Sequence, residues 1–272
     1  MTARRRVDKM NAGAVKKAQR NLKLQIEYDG THYHGWQVQN GSAARAVYQS
    51  AKTIQQVLEQ TLKKILREDV QLTVAGRTDA GVHALAQAAN FKTRTGMSLL
   101  RLRWAVNCLL PEDIKVTKIS EVPPDFNSRF SAKSKIYRYL ILNRKYSSAL
   151  LAKRVYFYHY PLDVDLMRKE AKELTGKHNF KAFQAAELRP RNPVRKIDWI
   201  RIRKDKKGLL AVDIQADSFL YNMVRNIAGT LLEIGRGRFP RGSMKRILNS
   251  RNRKLAGPTL PAKGLYLVQV KY

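Results

Sequence analysis

Acidic residues are scarce in this sequence. Asp and Glu together number 21 in 272 residues, against 53 Lys and Arg, which leaves a formal net charge of +32 with histidine neutral. Such an excess makes the folded chain repel itself, and a small soluble domain needs a net charge of only about 2–8 to stay in solution. A polyanionic partner, most naturally a nucleic acid, therefore explains the charge better than solubility does.

Cysteine is almost absent. The one cysteine, Cys108, excludes a disulfide within the chain and a zinc site built from several cysteines. It lies in the apolar stretch 104–110, so we expect a small core residue rather than a nucleophile. Among the histidines only His32 and His34 are closely spaced, and we interpret them as a loop or surface pair rather than metal ligands.

Long apolar runs are also missing. The longest are far too short to cross a bilayer, and the first residues lack the apolar core of a secretory signal. Together with the single cysteine, these features predict a reducing, cytoplasmic setting and no membrane partner.

The composition still allows a substantial core. Hydrophobic residues make up 44% of the chain, and its length suits one large domain or two small ones. Residues 1–20 differ from the rest, because their basic residues face a single acid, Asp8. We predict a mostly disordered basic arm that touches RNA phosphates, and disfavour an organelle transit peptide because the segment has no serine.

Hydrophobic periodicity predicts two successive sets of strands and helices. In the first set we expect strands over 22–28, 70–76 and 85–91 and helices over 53–65, capped by Thr53, and 98–110. In the second we expect strands over 136–142, 154–159, 199–203, 210–216 and 265–270. Its helices should run from Val164 towards Gly176, and from a cap at Asp217 or Ser218 to Gly235. Both sets contain the order strand, helix, strand, strand, which is typical of an α+β fold.

The most informative motif is Gly76-Arg77-Thr78-Asp79-Ala80-Gly81-Val82-His83, which follows a predicted strand. Two glycines around one acid can form a tight loop that holds Asp79 rigidly in a cleft, with Arg77 placed to meet a phosphate or a displaced base. The same residues also suit a plain turn, in which Asp79 caps the backbone and Arg77 is solvated. The motif alone leaves both interpretations open.

Several motifs in order resemble the TruA-type transfer-RNA pseudouridine synthases over about residues 21–272. Besides the Asp79 motif, they are Glu27-Tyr28-Asp29-Gly30, Gly35-Trp36-Gln37 with Gln39, Leu110-Pro111-Glu112-Asp113-Ile114, Phe126 to Ala132, Tyr137-Arg138-Tyr139, Met223-Val224-Arg225-Asn226-Ile227 and Gly264-Leu265-Tyr266-Leu267. The basic arm and a long loop at 41–51 are additions to the family pattern that could alter which RNA is bound.

The resemblance implies both a fold and a reaction. The fold is two related α+β subdomains, residues 21–130 and 131–272, that form one mixed, mainly antiparallel sheet flanked by helices with the active cleft between them. The reaction cleaves the C1′–N1 bond of uridine, rotates the uracil and rejoins it through C5, without a metal or cofactor. The implied substrate is the 3′ side of the tRNA anticodon arm, and the implied assembly is a homodimer in which one RNA touches both subunits.

The resemblance also implies the site residues. Asp79 takes the place of the catalytic carboxylate, and whether it attacks the base, attacks the sugar or abstracts a sugar proton stays open. Tyr137 matches the tyrosine that stacks under the target uracil, although Tyr139 shares its face of the strand. Arg77 matches the residue that helps to evict the base. Arg225 matches the arginine paired with the aspartate, and a phosphate contact on a helix surface is its other interpretation. His83 is expected to pack or hydrogen-bond.

Two other classes of protein fit part of the sequence. A non-catalytic RNA-binding or ribosome-associated protein would explain the charge and the α+β pattern. It would not explain an acid held between two glycines in a basic cleft. A nuclease is disfavoured because the sequence shows no set of carboxylates to hold two metal ions.

Overall fold

The computed structural model describes residues 18–37, 52–186 and 192–272. Most of the predicted basic arm, the predicted loop at 41–51 and Gln39 lie outside the described residues. Within them, the chain forms one ten-stranded sheet. Its strands are β1 (Arg20–Tyr28), β2 (Thr73–Val74), β3 (His83–Thr93), β4 (Ile114–Val122), β5 (Ser134–Asn143), β6 (Tyr156–Tyr158), β7 (Gly176–Asn179), β8 (Val194–Lys204), β9 (Leu209–Ala216) and β10 (Leu265–Lys271).

The sheet is mixed and mainly antiparallel, as predicted. Its main path runs β4-β1-β3-β10-β5-β9-β8-β7, with β2 paired to β3 and β6 paired to β5. The pairs β3–β10 and β5–β6 are parallel, and the others are antiparallel. Because the last strand, β10, lies between β3 and β5, it joins the strands of the first half of the chain to those of the second.

Five α-helices flank the sheet in the described part of the chain. They are α1 (Ile54–Leu66), α2 (Leu99–Leu109), α3 (Val164–Ala171), α4 (Met223–Gly235) and α5 (Ser243–Ser250). Helix α2 packs on β4 and α1, whereas α4 packs on β5, α3 and α5. Almost every side chain of α4 is buried, so this helix forms the centre of the second half of the core. None of the helices among the described residues has the length and apolar character needed to cross a bilayer.

Several predicted boundaries were wrong. The helix expected from Asp217 or Ser218 begins only at Met223, because the Asp217 carboxylate accepts a hydrogen bond from the backbone N–H of Lys196 on the neighbouring strand instead of capping a helix. The strand expected over 70–76 is only Thr73–Val74, and the one over 154–159 is only Tyr156–Tyr158. Strands β4 and β7 and helix α5 were not predicted.

The expectation that Cys108 is a core residue was also wrong. Cys108 is exposed on α2, and Leu100 and Trp104 on the same helix are each 70% exposed. The helix buries Leu102 and Val106 instead. An apolar stretch in a sequence therefore did not identify the buried face of this helix.

The start of α1 agrees with its predicted cap. The Thr53 hydroxyl accepts a hydrogen bond from the Gln56 backbone N–H at 3.3 Å, and the Gln56 side chain accepts one from the Thr53 N–H at 3.1 Å. This capping box satisfies two backbone donors that a helix start otherwise leaves free.

We therefore expect Thr53→Ala to lower the free energy of unfolding by about 1 kcal/mol relative to Thr53→Ser, which keeps the hydroxyl but loses the same methyl group. Chemical denaturation of both variants measures the difference. Equal stabilities would show that the hydroxyl does not stabilise α1.

Candidate active site

The predicted catalytic motif forms a loop between β2 and β3, residues 75–82, which we call the Asp loop. Its backbone is held by the first strand and by β3. The Tyr28 hydroxyl lies 2.7 Å from the Thr78 hydroxyl, and the Gln87 side chain donates to the Gly76 carbonyl at 2.8 Å. Both Tyr28 and Gln87 are buried, so their hydrogen bonds to the loop are shielded from water.

The segment after β1 crosses directly over the Asp loop. The backbone N–H of Trp36 donates to the Thr78 carbonyl at 3.0 Å, and the N–H of Gly81 donates to the Tyr33 carbonyl at 3.3 Å. Between them Gly35 has φ +83°, and a Cβ there would lie 2.5 Å from the Thr78 carbonyl oxygen. Only glycine combines this backbone conformation with so close an approach, so the geometry of the Asp loop requires glycine at position 35.

Asp79 projects from the Asp loop into a cleft of about 1150 Å³. Its side chain is 40% exposed, and Arg225 Nη1 lies 3.9 Å from its Oδ2. Burial raises the pKa of the Asp79 carboxyl above its usual range, and the positive charge of Arg225 opposes that shift. The carboxylate therefore has less water around it than a surface aspartate, and its nearest cation comes from the other half of the chain.

Arg225 is fixed by its neighbours at the start of α4. Its Nε donates to the Leu260 carbonyl at 2.6 Å, and its Nη1 donates to the Asn222 side chain at 2.7 Å. The side chain is only 17% exposed. These contacts aim the guanidinium towards Asp79, which favours the paired interpretation of Arg225 over a contact on the helix surface.

The structure separates the two tyrosines that the sequence could not. Tyr137 lines the cleft, and its ring meets Phe219 edge-on with 4.9 Å between centroids. Its pKa is raised by burial and by the nearby Tyr28 and Asp79. Tyr139 is fully buried, donates its hydroxyl to the Pro261 carbonyl at 2.7 Å and does not line the cleft. Of the two rings, only that of Tyr137 lines the cleft, where it is largely buried.

Arg77, the remaining predicted site residue, is exposed at the cleft next to Asp79. His83 lies outside the cleft lining and is buried. It stacks on Tyr266 with 4.7 Å between centroids, and its Nδ1 accepts from the Gly30 N–H at 3.1 Å. The expectation that His83 packs and hydrogen-bonds is confirmed.

The cleft also holds residues that sequence reasoning did not assign to the site. Phe130 and Tyr221 line it while 77% and 42% exposed, and Arg129 and Lys135 line it as well. Lys135 could have been found, since it lies two residues before Tyr137 and so shares its face of β5. Among the described residues, no group of three or more His, Cys, Asp or Glu side chains could hold a metal ion.

The arrangement defines a class of protein. A recessed carboxylate, an adjacent aromatic ring and a cleft whose lining includes several cations and two exposed aromatic rings suit an enzyme that acts on a base taken out of its stack in RNA. Comparison with known proteins narrows this class. A family model described as tRNA pseudouridine synthase matches residues 25–131 and 171–272.

Individual relatives agree with the family match. The tRNA pseudouridine synthase A of Acetivibrio thermocellus is 45% identical over 253 residues, which is 93% of this chain and 100% of that protein. The protein of the same name from Haemophilus ducreyi is 42% identical over 249 residues, covering 92% of both chains. A solved archaeal box H/ACA sRNP Nop10-Cbf5 complex is a remote match, with 12% identity, 86% of this chain and 59% of that chain covered, and a TM-score of 0.35.

The chain belongs to the tRNA pseudouridine synthase family. It is therefore an isomerase of the kind that converts uridine to pseudouridine. The matched ranges include the Asp loop, α4 and β10, which carry or support the residues around Asp79.

The close contact of Gly35 with the Asp loop yields a testable expectation. We expect Gly35→Ala to lower both the free energy of unfolding and the rate of pseudouridine formation, because the added Cβ must push the Thr78 carbonyl away. The matched control is Gly237→Ala, since Gly237 has φ +79° but nothing within 4 Å of an added Cβ.

The control should lose about 1 kcal/mol of stability from backbone strain alone and keep its activity. Denaturant unfolding and single-turnover assays of both variants separate the two effects. Equal behaviour of the two variants would show that Gly35 does not position the Asp loop.

Proposed function

We propose that this protein isomerises uridines on the 3′ side of the anticodon arm of tRNA, with Asp79 as its catalytic carboxylate. The proposal includes residues 21–130 and 131–272 as two subdomains with the cleft between them, a cytoplasmic homodimer, and no metal or cofactor. The observation that supports it most is the position of the Asp79 carboxylate, which lies in the cleft 3.9 Å from Arg225. The loop that carries Asp79 is held by hydrogen bonds from Tyr28 and Gln87.

The reaction sets clear demands on the site. The C1′–N1 bond breaks, the uracil turns, C5 bonds to C1′, and the proton lost from C5 is balanced by one gained at N1. Nothing is oxidised or reduced, so one fixed carboxylate can serve as nucleophile or proton acceptor. Asp79 must be ionised for either role. Arg225 supplies the positive charge that favours the ionised form, although burial works against it.

We propose that the remaining site residues bind and displace the target base. An extruded uracil loses its stacking partners, which costs a few kcal/mol. We propose that the ring of Tyr137 replaces one partner, since base–aromatic stacking is worth about 1–3 kcal/mol. Phe219 packs edge-on against that ring. We propose that Arg77 enters the space that the uracil leaves, and its exposed position beside Asp79 supports this role.

A non-catalytic RNA-binding protein is the competing function. Such a protein gains affinity from cations and aromatic rings, whereas a carboxylate in the same cleft repels the phosphates. Asp79 has an additional cost, because burial disfavours its charged form. A residue that weakens binding and is costly to hold in place favours an enzyme over a binding module.

The direct test of this proposal is Asp79→Asn, which keeps the size of the side chain and removes its charge. We expect no detectable pseudouridine in a tRNA transcript, with RNA affinity within about threefold of wild type because phosphate contacts dominate binding. The control is Asp125→Asn, which removes an exposed carboxylate that does not line the cleft.

Position-resolved detection of pseudouridine in the same transcript tests the substrate. Wild type should modify uridines on the 3′ side of the anticodon arm and leave the other arms unmodified. Turnover by Asp79→Asn would remove Asp79 from its role. Modification restricted to another arm would contradict the proposed position without affecting the role of Asp79.

The pairing of Arg225 with Asp79 predicts a change in pH dependence. Only the ionised carboxylate is active, so the single-turnover rate should fall as pH drops through the pKa of Asp79. Arg225 opposes the rise of that pKa, so Arg225→Met should move the midpoint to higher pH, and raising the pH should restore part of the lost rate. Arg225→Lys, which keeps the charge, should shift the midpoint less.

Rates measured against pH at saturating RNA, for wild type and both variants, test this expectation. A phosphate contact would instead weaken RNA binding and leave the pH profile unchanged. That result for Arg225→Met would contradict the pairing.

A further inference from the structure

Lys135 stands out among the cleft residues. It lies on β5 two positions before Tyr137, so both side chains share one face of the strand. Its stem runs against the start of the Asp loop, where a Cβ added at Gly76 would lie 3.3 Å from Lys135 Cε. Lys135 therefore lies beside both the Tyr137 ring, on which we propose that the uracil stacks, and the loop that carries Asp79.

The Lys135 ammonium has no carboxylate within salt-bridge distance in the described part of the chain. Among the described residues it makes no hydrogen bond and has no carboxylate within 4.0 Å, although its side chain is half-buried. Burial lowers the pKa of Lys135, Arg129 lowers it further, and Asp217 opposes the shift from a distance. Asp217 is already engaged, because its carboxylate accepts hydrogen bonds from the Lys196 N–H and from Ser218.

One other cation on β5 is paired with a carboxylate. Arg138 lies on the same strand, and its Nε donates to Asp213 at 2.6 Å. An unpaired charge removed from water costs free energy, and a carboxylate or a ligand anion normally compensates it. No described residue supplies such an anion at Lys135, which points to a ligand that arrives with the RNA.

We propose that Lys135 binds a backbone phosphate of the RNA next to the extruded uridine. The proposal rests on the function proposed above, since it places the target uracil on Tyr137. Residues two positions apart on a strand lie about 7 Å from each other, so Lys135 is close to the position proposed for that base. The anion is a phosphate rather than a uracil oxygen, because only a full negative charge offsets both the half-buried Lys135 and the nearby Arg129.

A phosphate held there would keep the backbone in the turned conformation that extrusion requires. Lys135 is thus a substrate-binding residue that acts mainly on affinity. Lys135→Met should weaken RNA binding about tenfold or more, as expected for one lost hydrogen bond to a charged group. The slope of log affinity against log salt should become shallower by about 0.7–0.9. Because no described carboxylate pairs with this charge in the free protein, the variant should unfold at the same denaturant concentration or higher.

The decisive experiment combines the protein variant with a change in the RNA. Anticodon stem-loops carrying one neutral methylphosphonate linkage at successive positions around the target uridine are bound to wild type, Lys135→Met and Lys135→Arg. For wild type, one linkage should weaken binding about tenfold. For Lys135→Met, the same linkage should cause no further loss, and Lys135→Arg should restore the sensitivity. Lys118→Met, which removes an exposed charge on the edge strand β4, should behave like wild type.

Other outcomes would overturn the proposal. One is an equal effect of every linkage on wild type and Lys135→Met. Another is a Lys135→Met variant with unchanged affinity and only a slower maximal rate, which would place Lys135 on the base instead. Binding is read without turnover, so these outcomes are distinct from failure of the proposed function, which is absence of pseudouridine with wild type.

Discussion

The site depends on one electrostatic arrangement, in which a carboxylate partly removed from water faces a cation from the other half of the chain. Asp79 and Arg225 are 146 positions apart in sequence, yet their side chains lie 3.9 Å apart. Their approach requires the two halves to share one sheet, and β10 provides that link between β3 and β5. The fold therefore brings together the segments around Asp79 and Arg225, neither of which identifies the site by itself.

Rigidity on both sides keeps this arrangement in place. The Asp loop is anchored from beneath by Tyr28 and Gln87, and Arg225 is held by Leu260 and Asn222. A carboxylate that could swing into solvent would regain its water and lose its raised pKa. Buried hydrogen bonds around the site therefore serve its chemistry as well as the stability of the fold.

The sequence predicted the parts of this protein that local rules control. The alternation of β1, the Thr53 cap and the loop around Asp79 depend on neighbouring residues, and the structure agrees with each. The start of α4 and the exposure of Cys108 depend on tertiary contacts, and both predictions failed. The distinction between Tyr137 and Tyr139 was inaccessible for the same reason, because they share a strand face and differ only in depth. The spacing of Lys135 to Tyr137 could have placed it at the site, but only the fold shows that no carboxylate among the described residues pairs with it.

The central claim is that Asp79 is a recessed carboxylate whose ionisation the cleft controls. The most direct measurement is a pH titration of the aspartate side-chain carbon signals by NMR in the free protein, with the Asp79 signal assigned from its absence in the asparagine variant. Because the Asp79 carboxyl is partly buried, we expect a midpoint above the value of about 3.9 that is usual for aspartate. A midpoint at or below that value would show that Asp79 is solvated or dominated by nearby cations. It would contradict the claim that burial in the cleft raises the pKa of this carboxyl.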